Sequence, residues 1–223
     1  MRLLLIRHGQ TPENVLGQLG TWRPGPGLTE LGRQQAAAVP DALRGQPLEA
    51  VLATRLVRTT ETAQPLAADR GLEIGIRDGL HEIEAGELEL RSDPDAVRTY
   101  METVFSWVLG SLEARMPGAG DGHEFFGRFD DDIDAIAREV SGTAAVFSHG
   151  AAIRVWTAAR AQNIPPEFAA EHRLENTGVV ELEGSPGDWT LVSWAGMPIG
   201  GSGLVDESAE DPHGETLQEA REA

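Results

Sequence analysis

Short apolar runs, each ending in polar or glycine residues, recur along this chain and alternate with stretches of helical periodicity. The first run, Leu3-Leu4-Leu5-Ile6, carries a branched apolar side chain at every position and reads as a short, buried strand of parallel type. Ala50-Val51-Leu52-Ala53, residues 72–76 and Thr143-Ala144-Ala145-Val146-Phe147 predict further strands. Residues 178–182 and 189–194 read as a closing strand pair around Gly184-Ser185-Pro186-Gly187. Thr29 is the predicted N-cap of a helix that runs toward Leu43, with Pro40 bending or shortening it. A second helix grows out of residues 54–63, directly after a strand. Val97, Met101, Val104, Phe105 and Val108 make a helical stripe within residues 93–115. Phe125, Phe126, Phe129, Ile133, Ile136 and Ala137 make another, and a last helix covers residues 151–161. The alternation predicts an α/β fold: a three-layer sandwich whose mostly parallel central sheet has helices on both faces. Residues 1–200 are expected to form one domain. From Asp206 onward the chain is acidic and poor in large apolar residues, so residues 201–223 are expected to be a flexible, loosely packed tail.

Composition narrows the functional classes. With 40% hydrophobic and 24% charged residues, the chain is of the ordinary globular kind. It has no cysteine, which removes disulfides, thiolate metal sites and a cysteine nucleophile. A formal net charge of -18 argues against nucleic acid and anionic membrane surfaces as partners. An anionic small molecule would meet the same repulsion, so a site for one needs a local cluster of arginines, the only strong bases present. The opening apolar run stops at Arg7, too short for a signal peptide, and no stretch could span a bilayer; a cytoplasmic location is expected. Asp130, Asp131, Asp132 and Asp134 could suggest a metal, but a solvated helix face is the favoured reading.

The candidate chemistry sits where strands end. Arg7-His8-Gly9-Gln10-Thr11 follows the first strand, and ligands of open α/β sheets bind outside such carboxyl ends. An arginine beside an imidazole suits an anionic substrate, the cation neutralising charge while the histidine attacks or carries a proton. Gly9 is expected to allow both a close backbone approach and an unusual φ. Taken alone, the pair could merely cap the sheet. The arrangement occurs again, however, as Phe147-Ser148-His149-Gly150 after a later strand. Arg58 stands near a third strand end, at a predicted helix N-terminus that favours anions.

These blocks together resemble the histidine phosphatase superfamily, also called phosphoglycerate-mutase-like, over roughly residues 1–195. The resemblance rests on R-H-G-x-T-x-x-N from Arg7 to Asn14, G-L-T-x-x-G-x-x-Q-A from Gly27 to Ala36, and the arginine-bearing turn from Thr54 to Ala63. L-x-E-x-x-x-G-x-x-E from Leu80 to Glu89 and S-H-G leading to Arg154 complete it. It implies His8 as the nucleophile that becomes phosphohistidine and Glu82 as the general acid. It implies Arg7, Arg58, His149 and Asn14 as holders of the phosphoryl oxygens, with Gln10, Thr11 and Gly150 lining the pocket. The chemistry agrees: arginines and imidazoles can neutralise a phosphoryl group, so no metal and no cofactor are expected. Glu82 would protonate the leaving oxygen and later activate water, a role that calls for a raised pKa. The family's mutases usually follow the catalytic glutamate with Arg-x-Tyr-Gly, where this chain has Ile83-Glu84-Ala85-Gly86. Leu88 replaces a common aromatic, and Ala119-Gly120-Asp121 replaces Gly-Glu-Ser. The expected function is therefore a metal-independent phosphatase acting on a small phosphorylated metabolite. The alternatives are a cofactor-dependent phosphoglycerate mutase and a non-catalytic phospho-ligand-binding module. Trp22, Arg23, His81 and His123 are candidates for a substrate-selecting rim. A homodimer is compatible with this reading.

Overall fold

The structure, a computed structural model, describes residues 1–206, 208 and 211–222. Its strands are β1 (Arg2–Arg7), β2 (Ala50–Ala53), β3 (Ile74–Ile76), β4 (Thr143–Ser148), β5 (Val179–Ser185) and β6 (Asp188–Ala195). They form one six-stranded sheet in the order β3-β2-β4-β1-β5-β6. β3, β2, β4 and β1 run parallel, while β5 and β6 close one side antiparallel. The helices are α1 (Pro12–Val15), α2 (Glu30–Ala42), α3 (Val57–Arg70), α4 (Pro94–Val108), α5 (Gly122–Glu139), α6 (Gly150–Arg160), α7 (Phe168–Glu171) and α8 (Leu217–Glu222).

Side chains on a strand alternate between faces, and β1 divides its residues accordingly. Leu3 and Leu5 join a core with Val104, Phe129, Ile153 and Trp156, so α4, α5 and α6 cover that face. Leu4 and Ile6 join Val39, Leu66 and Ala67, so α2 and α3 cover the other. This is the expected three-layer sandwich. All four apolar residues of β1 are 0–1% exposed, which is why the run carries no polar alternation.

Several boundaries differ from the sequence expectation, each for a local reason. α4 stops at Val108 instead of reaching residue 115, because Gly110 turns the chain at φ +98°. β3 begins only at Ile74, since Gly71 caps α3 in the left-handed conformation and Leu72 still bonds back to Ala67. β5 and β6 extend through Ser185 and from Asp188, leaving Pro186-Gly187 as the turn. Pro40 lies in the last turn of α2, which continues to Ala42. α1 arises where a loop was expected: Thr11 and Asn14 cap each other reciprocally, with Pro12 at the first helical position.

The acidic helix face is less solvated than expected. Asp130 accepts from Trp156 Nε1 at 2.8 Å and pairs with Arg160, and Asp132 accepts from Gly79 N at 2.6 Å. Residues 211–222, expected to trail loosely, lie back against the domain, with Asp211 and His213 buried and α8 packed on α4 and α7. Their acidic composition misleads because the charges are paired: Asp211 with Arg7, Glu219 with Arg173. Among the described residues, no helix is long and apolar enough to cross a membrane.

Candidate active site

β1, β4 and β2 are neighbours and run in one direction, so Arg7, Ser148 and Ala53 end at the same edge of the sheet. The residues that follow them, His8, His149 and Thr54, are thereby brought together. His8 N bonds to Ser148 O at 3.0 Å, fixing the start of the loop against β4. Its ring Nδ1 lies 2.7 Å from Gly9 O; a carbonyl can only accept, so Nδ1 carries the proton and Nε2 keeps its lone pair. Burial first, then Arg58 and Arg7, hold the His8 pKa well below its ordinary value. The ring is neutral for that reason. Gly9 has one of the two properties expected of it. A Cβ there would stand 2.7 Å from Gly32 O, and one on Gly32 would stand 2.2 Å from Gln10 O. The loop therefore runs backbone to backbone over the start of α2, while Gly9 is not among the residues with positive φ.

His149 is the N-cap residue of α6, and its ring centroid is 5.3 Å from that of His8. Its Nδ1 accepts from Arg58 Nε at 3.3 Å and its Nε2–H faces Thr54 Oγ1 at 3.1 Å. This tautomer is neutral, in keeping with a pKa driven well down by burial and then by Arg58 and His8. Arg58 sits in the first turn of α3 and is 2% exposed; its Nη2 donates to Gly20 O at 3.2 Å. Arg7 is 0% exposed, with Nη1 on Leu174 O at 2.7 Å and Nη2 on Asp211 Oδ2 at 2.5 Å. Arg7 Nε and Arg58 Nη1 are buried without hydrogen-bond partners among the described residues.

Of the four glutamates in the loop before α4, Glu82, Glu84, Glu87 and Glu89, only Glu82 enters the cluster. It is 1% exposed and accepts from Ala152 N at 2.8 Å and Ala151 N at 3.2 Å, at the N-terminus of the helix that His149 caps. Those bonds and Arg58 favour the carboxylate, but burial outweighs them and raises the pKa. Glu84 is exposed between Arg23 and His81. Asn14 donates from Nδ2 to Asp211 Oδ1 at 3.0 Å, its own Oδ1 being held by Thr11 N. Thr11 is thus a cap beneath the pocket. Gln10 braces the loop, donating to Asp206 at 2.9 Å and accepting from Thr29 Oγ1 at 2.8 Å. Gly150 opens α6 beside the Arg7 guanidinium.

The rim candidates separate. Arg23 Nη2 and His81 Nε2 are 2.6 Å apart, and Trp22 Nε1 donates to Glu13 at 2.9 Å. His123 lies on the exposed side of α5, near Glu113 at 3.7 Å. Four residues that the motifs did not single out complete the frame. Arg128 grips the carbonyls of Gly79, His81 and Glu82, at 2.9 Å for the last. Tyr100 OH donates to Ile83 O at 2.9 Å, Thr62 Oγ1 accepts from Gly9 N at 2.9 Å, and Asn176 Nδ2 donates to His8 O at 3.1 Å. Each acts on the backbone of a motif residue, and a pattern of side-chain types carries no trace of that. Asp211 and His213 were missed for another reason: they reach the pocket from a segment whose composition points to solvent.

A three-layer α/β sandwich presenting two neutral, buried imidazoles and two buried guanidiniums, with a carboxyl of raised pKa beside them, defines a cationic pocket suited to an anionic ligand. The family model of the histidine phosphatase superfamily (branch 1) matches residues 3–196, and the chain belongs to that superfamily. It is 37% identical over 216 residues to the PE-PGRS family protein PE_PGRS11 of Mycobacterium tuberculosis, covering 89% of this chain and 37% of that protein. It is 33% identical to the adenosylcobalamin/alpha-ribazole phosphatase of Escherichia coli K12, over 56% of this chain and 61% of that one. The chain thus spans less than two thirds of the length of either relative. Among solved structures, a mycobacterial glucosyl-3-phosphoglycerate phosphatase complexed with VO3 shares the fold at TM-score 0.74 and 22% identity. That match covers 88% of this chain and 99% of the other.

Proposed function

We propose that the chain is a phosphatase that hydrolyses small phosphomonoesters without a metal, through a phosphohistidine on His8. The observation that carries this reading is the His8 ring, uncharged, with Nδ1–H spent on Gly9 O and Nε2 left nucleophilic beside Arg7 and Arg58. In the first step Nε2 bonds to phosphorus as the ester P–O bond breaks, and the leaving oxygen takes the proton of Glu82. In the second, the Glu82 carboxylate accepts a proton from water, whose oxygen bonds to phosphorus as the P–N bond breaks and the lone pair returns to His8. Splitting hydrolysis in this way replaces one difficult displacement by two easier ones. Arg7, Arg58 and Asn14 hold the equatorial oxygens, where charge neutralisation matters most. His149 orients Arg58 through Nδ1 and offers its ring to the same group. The phosphatase named among the relatives supports a small phosphorylated metabolite as substrate.

Rapid quenching with a labelled phosphoester tests the reading. An acid-labile, alkali-stable phosphoenzyme should form in the native protein and be absent, together with turnover, in His8→Ala. Turnover of p-nitrophenyl phosphate should survive EDTA; loss on chelation with rescue by a divalent metal would overturn the metal-free route. Assaying 3-phosphoglycerate with and without 2,3-bisphosphoglycerate separates hydrolysis from the mutase alternative. Phosphate release should dominate, since exposed Glu84 and Glu87 flank the Glu82 loop and repel a carboxylate-bearing substrate.

A further inference from the structure

Arg7 and Asn14, two of the groups assigned above to the phosphoryl oxygens, are already engaged by a carboxylate. Asp211 Oδ2 lies 2.5 Å from Arg7 Nη2, and Asp211 Oδ1 lies 3.0 Å from Asn14 Nδ2. The carboxylate is held in a built seat. Gly214 N bonds to Asp211 O at 2.9 Å and Glu215 N to the same oxygen at 3.2 Å, turning the chain tightly behind it. Leu174 N bonds to Gly214 O at 3.0 Å, and Arg154 Nη1 to His213 O at 3.3 Å. The fit leaves no room for a larger residue. A Cβ on Gly214 would stand 2.3 Å from Arg7 Nη1, and one on Gly150 would stand 2.5 Å from His213 O. His213 is 3% exposed and edge-on to Tyr100 at 5.3 Å, with Nε2 buried and unpaired among the described residues.

We propose that Asp211 is an internal stand-in for the phosphoryl group, occupying the Arg7–Asn14 subsite until a phosphorylated substrate displaces it. This rests on the reading of the His8 pocket as a phosphatase site. A buried Arg7 without a counter-charge would be costly, so the empty enzyme gains by recruiting a carboxylate of its own. The exchange favours the substrate for two reasons. A phosphoryl dianion brings two charges against one, and its three oxygens reach donors that a planar carboxylate leaves unused. Arg7 Nε and Arg58 Nη1 are those donors. The tethered carboxylate still competes, at an effective concentration on the order of millimolar, and lowers apparent affinity by the fraction of molecules it closes. An exchange of this kind also selects among ligands. Monocarboxylates gain nothing over Asp211, whereas phosphate dianions do.

The test compares native protein with Asp211→Asn, which keeps the shape and removes the charge. KM for p-nitrophenyl phosphate and Ki for inorganic phosphate should fall together in the variant, roughly tenfold, the worth of a hydrogen bond to a buried charged group. The kcat should hold. Hydrogen–deuterium exchange on the native protein gives an independent reading that needs no variant to fold: inorganic phosphate at saturation should raise exchange across residues 211–222. Unchanged or raised KM and Ki in Asp211→Asn, or protection of residues 211–222 by phosphate, would overturn the proposal. The phosphatase reading stands or falls separately, on whether His8→Ala abolishes turnover.

Discussion

A cationic imidazole buried beside two guanidiniums is costly, and His8 avoids that cost by staying neutral where an exposed histidine titrates. Glu82 is shifted the opposite way, toward the protonated form. The two directions set a window: the proposed reaction needs His8 unprotonated and Glu82 protonated, so activity is expected between a lowered histidine pKa and a raised glutamate pKa. On an alkyl phosphate, kcat/KM corrected for the substrate's own ionisation should show no loss as pH falls through the ordinary histidine value of 6.5 and should fall on the alkaline side as Glu82 ionises. Glu82→Gln should lose that alkaline limb and slow by roughly 10²–10⁴-fold, the usual worth of general acid–base catalysis, with aryl phosphates suffering less. The substrate's own ionisation is common to both proteins and cancels in their ratio. If Glu84→Gln shows the effect instead, the acid has been assigned to the wrong glutamate. Arg7, His8, Arg58 and His149 were legible in the sequence because each stands just past a short apolar run, where strand ends and helix starts aim side chains at one edge. Asp211 and His213 were not. Their position depends on a chain return 204 residues long for the Arg7–Asp211 contact, and no local pattern encodes it.

At the scale of elements, the approach of the His8 loop to α2 is a tight constraint of backbone on backbone beside the site. Gly32→Ala would drive a Cβ into the Gln10 carbonyl and should cost about 1–3 kcal/mol, as overpacking does, while lowering kcat through the displaced loop. Asp93→Ala provides the contrast. It removes the side chain that caps α4 by accepting from Ala96 N at 3.2 Å and should cost about 1 kcal/mol with kcat and KM intact. Denaturant titration and steady-state kinetics on both variants check this. Strand cores and the amphipathic helices were legible because their periods are strong. The end of α4 was not: its apolar stripe fades gradually, and Gly110 stops the helix before the stripe itself announces an end. The reciprocal cap of α1 hides inside a motif whose residues read first as chemistry.

Over the whole molecule, His8, His149 and His213 are all buried with pKa values well below 6.5. The unfolded chain takes up protons at these positions as pH falls through that value while the folded chain does not. Stability therefore rises with pH up to the unfolded value and is lost below it. Glu82 and Glu215, both raised by burial, contribute in the opposite sense, but two carboxyls stand against four imidazoles, since His81 is lowered as well. Between about pH 7.5 and about pH 5.5 each histidine should cost on the order of 1 kcal/mol. Thermal melts across that range should show Tm falling with acidity, and His213→Gln should make the fall shallower; a Tm independent of pH would contradict the burial of these rings. The sheet order bears on how the molecule is made. β1, buried on both faces, pairs in the sheet with β4, where Arg2 faces Thr143, and with β5, where Arg2 faces Glu183. Both partners are synthesised long after it, so at roughly 5–20 residues per second this strand, with its four consecutive large apolar residues, waits on the order of ten seconds or more with both edges open. That interval, and not the finished fold, is when the unpaired edges of this strand are most open to association with other chains.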